Sequence, residues 1–590
     1  RIRDRLATEA LARAALWRGA LGRPASVVAM RPASLAAASA AAAAAAVLVL
    51  WRRRRARALR PPQLAYGTAG FRADAALLAV ALERVGVVAA LRSDDVAAAT
   101  GVMVTASHNP IQDNGAKIVD ADGGMLDMKW EPKAEAVAQC SEDELAAVVA
   151  RVFSSWPAHG GGTVVVGRDT RPHSARLAAL VVRGARRFGA IVVDVGVVTT
   201  PQLHHCVKAH NASVPPAALY GYTEGLADAF EALVGAAPPR KSAALVVDCA
   251  GGVGALSVVA VAAALHARGL DDVLQLSAAN APGGAAPLND KCGAEFVQKQ
   301  QEAPFGVAVG LERVASLDGD ADRLVYCYRD GRGFNLMDGD KIATLLASFV
   351  SDEVRHAGLE PAPKIGVVQT AYANGAAALY LKKALPDVAL AFAKTGVKYV
   401  HHAATAFDVG VYFEANGHGT VLFSEALRAR LHALAAAAGP AAAKTQTRRD
   451  LAVRRLFAFA ALANPSVGDA VADVLLVEAV LTLQKIGVED WDATYSEFPS
   501  RQLKQKVATR AALTPNSSET RLLAPQALQA AVDAAVKAST ADARAFVRPS
   551  GTEDVVRVYA EAKTQIDADA LALEVQRAVF DLADGIGPRP

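Results

Sequence analysis

Gly101-Val102-Met103-Val104-Thr105-Ala106-Ser107-His108-Asn109-Pro110 is the stretch on which the reading of this chain turns. Val102, Met103 and Val104 make a short apolar run of the kind found in strands covered on both faces. The run ends in a loop that presents the Ser107 hydroxyl. A turn at Asp113, Asn114 and Gly115 follows, and then Lys117. A serine needs help to act as a nucleophile or carrier. His108 and Lys117 lie close enough in sequence to supply protons or charge. The same residues also suit a strand-to-loop turn in which Ser, Asn and Pro only shape the backbone, so the motif needs partners from elsewhere.

The pattern recurs. Short Val-rich runs at 164–166, 191–195, 245–247 and 365–368 each end in Gly, Asp, Ser or Thr, with Ala/Leu stretches at helical spacing between them, as at 175–187. This β-then-α alternation predicts α/β domains with mainly parallel, buried strands. Function in such sheets sits in the loops at the strand carboxyl ends.

Asp318-Gly319-Asp320-Ala321-Asp322-Arg323 places three carboxylates at alternate positions. If the loop curls, they face one centre and make an oxygen-lined site for a hard cation such as Mg²⁺. An EF-hand would need Gly at its sixth place and Glu at its twelfth, where this chain has Arg323 and Arg329. A solvated acidic loop is the plain alternative. Arg548-Pro549-Ser550-Gly551-Thr552-Glu553-Asp554, with Arg557 beyond, combines Arg, two hydroxyls and a free backbone as a phosphate cradle would. Phe413-Glu414-Ala415-Asn416-Gly417-His418-Gly419-Thr420 follows an apolar run and offers Glu and Asn to sugar hydroxyls or an amide. Tyr66-Gly67-Thr68-Ala69-Gly70-Phe71-Arg72 is a Gly-rich turn ending in Arg. In Gly167-Arg168-Asp169-Thr170-Arg171 the two Arg suit either an anion or inter-domain salt bridges.

The chain has 590 residues, 52% hydrophobic and 21% charged, which is ordinary for a multidomain globular enzyme. Its net charge of +4 hides thirteen Arg in residues 1–60; the remainder is mildly acidic and carries no nucleic-acid footprint. Five scattered cysteines without a CxxC pair fit a reducing compartment, with no disulfide framework and no zinc site. Residues 1–60 end in an Ala-rich stretch followed by Arg52, Arg53, Arg54 and Arg55. Three readings compete: a signal anchor, an organelle transit peptide, and a low-complexity extension. Apart from that segment, a cytoplasmic protein with no membrane partner is expected, and a monomer is favoured.

The motifs, in this order, resemble those of the α-D-phosphohexomutase superfamily over roughly residues 64–590. Within it, Glu414-Ala415-Asn416-Gly417-His418-Gly419 is similar to the phosphoacetylglucosamine mutase branch. So are Thr199-Thr200-Pro201-Gln202-Leu203-His204, Thr395-Gly396-Val397-Lys398 and Arg501-Gln502-Leu503-Lys504. Gly251 departs from the family, which tends to have Asn there.

The resemblance implies an α/β fold in four domains: three similar α/β domains with mixed sheets and a smaller C-terminal α+β lid. The expected divisions are a phosphoserine domain at 61–215, a metal domain at 216–325, a sugar domain at 326–460 and a phosphate-binding domain at 461–590. It also implies interconversion of N-acetylglucosamine 6-phosphate and N-acetylglucosamine 1-phosphate, in the service of UDP-N-acetylglucosamine synthesis. The expected route runs through phosphorylated Ser107 and a sugar 1,6-bisphosphate, with one Mg²⁺ held by Ser107, Asp318, Asp320 and Asp322. Ser107, His108 and Lys117 are the expected catalytic residues, with Lys398 a further acid/base candidate. Substrate binding falls to Arg323, Glu414, Asn416, His418, Arg548, Ser550, Gly551, Thr552 and Arg557, with Arg72 as another phosphate contact. The rivals are a phosphoglucomutase or phosphomannomutase of relaxed specificity, and a silent sugar-phosphate binding protein.

Overall fold

The computed structural model describes residues 63–67, 69–153, 161–212, 218–235, 237–240, 242–438, 447–550 and 554–590. The readings placed on residues 1–60, and those on Gly551 and Thr552, lie outside the described residues. Among the described residues no helix is long and apolar enough to cross a membrane.

Strands β1 (Phe71–Asp74), β2 (Thr100–Val104), β3 (Asp113–Val119), β4 (Thr163–Arg168) and β5 (Ile191–Val197) form one sheet in the order β1-β3-β2-β4-β5. β2 is buried along its whole length, as its apolar run requires. It pairs parallel with β4 and antiparallel with β3. A second sheet has β6 (Ala244–Asp248), β7 (Gln275–Ala279), β8 (Val314–Leu317), β9 (Leu324–Asp330) and β10 (Gly333–Met337) in the order β10-β9-β8-β6-β7. A third has β11 (Ile365–Gln369), β12 (Val388–Phe392), β13 (Val409–Phe413) and β14 (Gly419–Phe423) in the order β12-β11-β13-β14.

The three sheets repeat one plan. Each combines strands paired parallel with one inner strand whose successor in the chain returns antiparallel beside it: β2 to β3, β8 to β9, β13 to β14. The sheets are therefore mixed, as the resemblance implies, which corrects the mainly parallel pairing expected from the β-then-α alternation alone. The periodicity of a buried run reports burial, and an antiparallel strand inside a covered sheet is just as apolar as a parallel one.

The last sheet contains β15 (Ser500–Lys506), β18 (Arg544–Pro549) and β19 (Val555–Glu561), all antiparallel, in the order β15-β19-β18. A short hairpin of β16 (Thr514–Pro515) and β17 (Leu522–Ala524) precedes β18. The helices Gln526–Ala538 and Gln565–Leu582 supply this sheet's own core through Leu528, Val532, Leu571 and Val575.

The first sheet also has its own core. The second and third share one, and the helix Ala470–Gln484 is built into it with Ala470 to Thr482 buried. Arg313 and Arg240 both pair with Glu478 on that helix. The second sheet runs on past residue 325 to Met337, and the C-terminal sheet starts at Ser500.

Candidate active site

Each of the four motif loops is the connection between two antiparallel neighbours. The serine loop joins β2 to β3, the triple-aspartate loop β8 to β9, the Glu414 loop β13 to β14, and the Arg548 loop β18 to β19. A short return of this kind needs no helical crossover. It therefore leaves each motif standing at the carboxyl end of a strand, buried throughout in β2, β8 and β13 and partly in β18.

Ser107 is buried and takes a left-handed backbone conformation, φ 50°, a costly state for a non-glycine residue that its surroundings must enforce. Arg171 enforces it. Its guanidinium donates to the carbonyls of Ser107 at 2.8 Å, Asn109 at 2.7 Å, Pro110 at 2.6 Å and Asp113 at 3.0 Å, while Nε meets Asp169 at 3.1 Å. Asn289, from the second-sheet region, donates to the carbonyls of Ser107 at 2.8 Å and Asn109 at 3.0 Å. Arg171 thus holds the serine loop of its own domain, and Arg168 pairs with Asp194 on the neighbouring strand at 3.1 Å. Among the described residues, neither forms the inter-domain bridge considered from the sequence.

The Ser107 hydroxyl donates to Asp318 Oδ2 at 2.5 Å. This pairing, across 211 residues of chain, brings the first two sheets' loops together. Gly319 permits it, because a Cβ there would lie 2.6 Å from the Ser107 carbonyl oxygen. Asp318 Oδ1 accepts from the amides of Asp322 at 3.0 Å and Arg323 at 3.1 Å, so the loop curls as its spacing suggested. Lys117 Nζ donates to Asp320 Oδ2 at 2.9 Å and Asp322 Oδ2 at 2.6 Å, and Thr200 Oγ1 donates to Asp320 Oδ2 at 2.6 Å.

Carboxylate oxygens of Asp318, Asp320 and Asp322 lie within 4.8 Å of one another. Burial, with the charges of Asp322 and Asp320 beside it, pushes the Asp318 carboxyl well above its usual range. Burial also raises Asp320, but the Lys117 ammonium and the Thr200 hydroxyl outweigh it and hold the group low. Burial would lower Lys117, yet the two carboxylates raise it above the ordinary lysine value. Asp320 Oδ1 and Asp322 Oδ1 are buried and have no hydrogen-bond partner among the described residues. Hard, orphaned oxygens around one centre fit a Mg²⁺ ion.

A narrow cleft, with about 60 Å³ of free space, opens beside this centre. Ser107, Lys117, Asp322, Arg323, Arg72, Glu414 and His418 line it, together with His204 and Lys398. Glu414 Oε1 accepts from Gly396 N at 3.0 Å, and Asn416 Oδ1 caps the turn by accepting from His418 N at 3.0 Å. His418 Nδ1 is 3.8 Å from Asp322 Oδ1, and burial keeps its pKa below the usual histidine value. His108 Nδ1 is 3.3 Å from Ser107 Oγ, and its Nε2 is 3.3 Å from Glu295. Burial, reinforced by Arg323 and Arg72, lowers that imidazole's pKa far below normal. Arg323 pairs with Glu295 at 3.0 Å. Lys398 pairs with Glu131 of the first-sheet region, its ammonium 5.0 Å from the centre of the Tyr66 ring.

The Arg548 loop stands apart. Arg548 on β18 faces Arg557 on β19 in cross-strand register, and Ser550 N donates to the Val555 carbonyl at 2.8 Å. Among the described residues none from the C-terminal sheet lines the cleft. Arg548 Nε instead donates to Glu519 at 2.6 Å. Asn289 and Glu519 belong to no motif read from the sequence, whereas Thr200 lies in the Thr199–His204 stretch. A turn-forming Asn two residues after Pro287, and the capping box that Thr199 and Gln202 make around Thr200, are the local signals that mark Asn289 and Thr200. Gly251 has φ 67°, a left-handed position that suits Gly, and a Cβ there would lie 3.0 Å from the Leu288 Cα.

Mixed-sheet domains bearing a serine loop, a triple-aspartate loop and a lid define the α-D-phosphohexomutase class. The model of phosphoglucomutase/phosphomannomutase alpha/beta/alpha domain I matches residues 86–144 and 133–215, and that of the C-terminal domain matches 504–578. The model of phosphoacetylglucosamine mutase AMG1, domain III, matches 338–486. The phosphoacetylglucosamine mutase of Mus musculus is 44% identical over 535 residues, covering 89% of this chain and 96% of the mouse protein. That of Saccharomyces cerevisiae is 39% identical, over 85% of this chain and 93% of its own. A crystal structure of Aspergillus fumigatus N-acetylphosphoglucosamine mutase, in complex with GlcNAc-6P and magnesium, superposes with a TM-score of 0.82 at 40% identity, covering 89% of this chain and 97% of that one. The chain belongs to the phosphoacetylglucosamine mutase family.

Proposed function

We propose that this chain interconverts N-acetylglucosamine 6-phosphate and N-acetylglucosamine 1-phosphate through a phosphoserine at Ser107. The observation that carries the reading is the 2.5 Å contact between Ser107 Oγ and Asp318 beside two orphaned carboxylate oxygens. A phosphoryl group on Ser107 would crowd its negative charge against three carboxylates, which demands a cation at that place. Asp318, Asp320 and Asp322, with the phosphoryl group, would hold Mg²⁺, which when bound supplies charge neutralisation for the transferring group.

The chain's own residues do the rest. Arg171 and Asn289 hold the loop so that the Ser107 oxygen faces the cleft. The sugar's free hydroxyl attacks phosphorus, the bond to Ser107 Oγ breaks, and the hydroxyl proton is taken up as Oγ is released. Lys117, an ammonium within 3 Å of Asp320 and Asp322, is the group we assign to that relay: it gives a proton to Oγ as the bond to phosphorus breaks and is recharged by the proton of the attacking hydroxyl; His108, neutral and next to Oγ, is the second. The resulting 1,6-bisphosphate turns end for end and returns its other phosphoryl group to Ser107. Glu414, Asn416 and His418 grip the ring, with Arg323 and Arg72 on the phosphate at the reacting end. Arg548, Ser550, Gly551, Thr552 and Arg557 take the phosphate that is not reacting, once the C-terminal domain swings over the cleft.

We draw the domain limits accordingly: the second at Met337, where its sheet ends, the third at the end of helix Ala470–Gln484, and the lid from Ser500.

The test is a coupled assay with N-acetylglucosamine 6-phosphate, Mg²⁺ and catalytic amounts of the bisphosphate, run beside glucose and mannose phosphates. Equal turnover of all three would favour a relaxed-specificity mutase. No turnover, and no phosphate on Ser107 by intact mass, would favour a silent binding protein.

A further inference from the structure

Glu519 sits in the turn between β16 and β17, 3% exposed, with φ 57°. A buried acid in a left-handed conformation is held there by its surroundings. Its amide donates to the Asn516 carbonyl at 3.0 Å, and Asn516 Oδ1 accepts from Thr520 N at 3.0 Å and Arg521 N at 3.3 Å. The carboxylate oxygen Oε2 takes two donors from different parts of the molecule. Arg548 Nε, on the lid, is at 2.6 Å, and Thr395 N, on the loop after β12, is at 3.0 Å. The next amide along, Gly396 N, donates to Glu414 Oε1 at 3.0 Å.

We propose that Glu519 is a positioning residue that couples the phosphate anchor to the sugar grip, through the relay Arg548–Glu519–Thr395–Gly396–Glu414. Two consecutive amides of one loop are each claimed by a glutamate, one of which orients the phosphate-binding arginine while the other lines the cleft. The relay sets the distance between the two grips on the substrate. The contact with Glu519 uses Nε of Arg548 and so fixes the plane of a guanidinium whose forked geometry matters for an oxyanion. Thr395 Oγ1, at the middle of the relay, is buried and has no hydrogen-bond partner among the described residues. The inference rests on the reading of Arg548 as a phosphate anchor.

The experiment is a double-mutant cycle on the full chain, with kcat and KM measured for N-acetylglucosamine 6-phosphate in the parent, Glu519→Gln, Arg548→Gln and the double variant. Glu519→Gln should raise KM about tenfold and move kcat less than about threefold. The KM increase of the double variant should be smaller than the product of the two single increases, because Glu519 acts partly through Arg548 and partly through the Thr395 loop. KM increases that multiply in the double variant, or an unchanged KM in Glu519→Gln, would overturn the relay. If Glu519→Gln melts well below the parent, Glu519→Asp, which keeps the charge but is a methylene short of both donors, goes through the same cycle with the same expectation. A parent chain that does not turn over would sink the underlying reading and the relay with it. An active parent with a multiplicative cycle would sink the relay alone.

Discussion

Ser107 Oγ and Asp318 Oδ2 lie 2.5 Å apart, in loops that leave different sheets. The contact brings the proposed phosphoryl carrier and the acidic centre together, so the reacting end of the site is preorganised. Replacing Ser107 by Ala removes the carrier oxygen but leaves the loop clamp of Arg171 and Asn289 in place. Turnover should fall on the order of 10³-fold or more, with a melting temperature close to the parent's. A Ser107→Ala protein that keeps most of its activity would sink the phosphoserine route.

Lys117 is the ammonium between Asp320 and Asp322. Removing it leaves two buried carboxylates without that counter-ion, a loss of about 3 kcal/mol or more. Lys117→Met should therefore melt early in EDTA and regain more of its stability from added Mg²⁺ than the parent does. A Mg²⁺-induced shift no larger than the parent's would contradict the proposed cation site.

Asn289 donates to two carbonyls of the serine loop from another part of the fold. The Ser107 carbonyl keeps Arg171 as a donor, so Asn289→Ala should cost only about 1 kcal/mol of stability. Its effect on rate should be larger, about tenfold in kcat, because the hydroxyl is no longer aimed. Stability and rate measured on the same preparation would separate these. A rate unchanged within error would make Asn289 a mere tie between loops.

His204 is buried, and its Nδ1 lies 2.7 Å from the Gly123 carbonyl. Burial lowers its pKa to about 4, so the unfolded chain binds its proton more readily. The contribution is fully present above about pH 6.5 and is lost as pH falls through 4, amounting to about 3 kcal/mol across that window. His204→Asn, whose amide can still donate to Gly123, should flatten the fall in melting temperature between pH 7 and pH 4.5. An unaltered slope would place the acid sensitivity elsewhere.

Much of the chemistry was legible along the chain because it rests on residue type at close spacing. The three carboxylates of Asp318, Asp320 and Asp322 must converge if their loop curls, and the loop does curl, through amides only four and five residues from Asp318. The apolar run before Ser107 had to be a buried strand. What that run could not tell was the direction of its neighbours. Burial looks the same in a parallel and an antiparallel sheet, so the returns β2 to β3, β8 to β9 and β13 to β14 emerged only from pairing. The helix Ala470–Gln484 falls within the 461–590 division expected from the resemblance, yet it packs in the core shared by the second and third sheets. Its composition says that it is buried, and only packing says against which core.

The sequence by itself determined which groups are available: a serine at a strand end, a triplet of acids, an arginine loop and a sugar loop. Tertiary structure decided what surrounds them. Arg171 clamps its own domain's loop, Lys117 answers Asp320 and Asp322 across more than two hundred residues, and Glu519 joins the lid to the Thr395 loop. Partnerships of that kind depend on which side chains long-range pairing brings within about 3 Å, and no local pattern encodes them. Ser107 is therefore readable as a candidate from ten residues, whereas its working geometry is a property of the whole assembled sheet system.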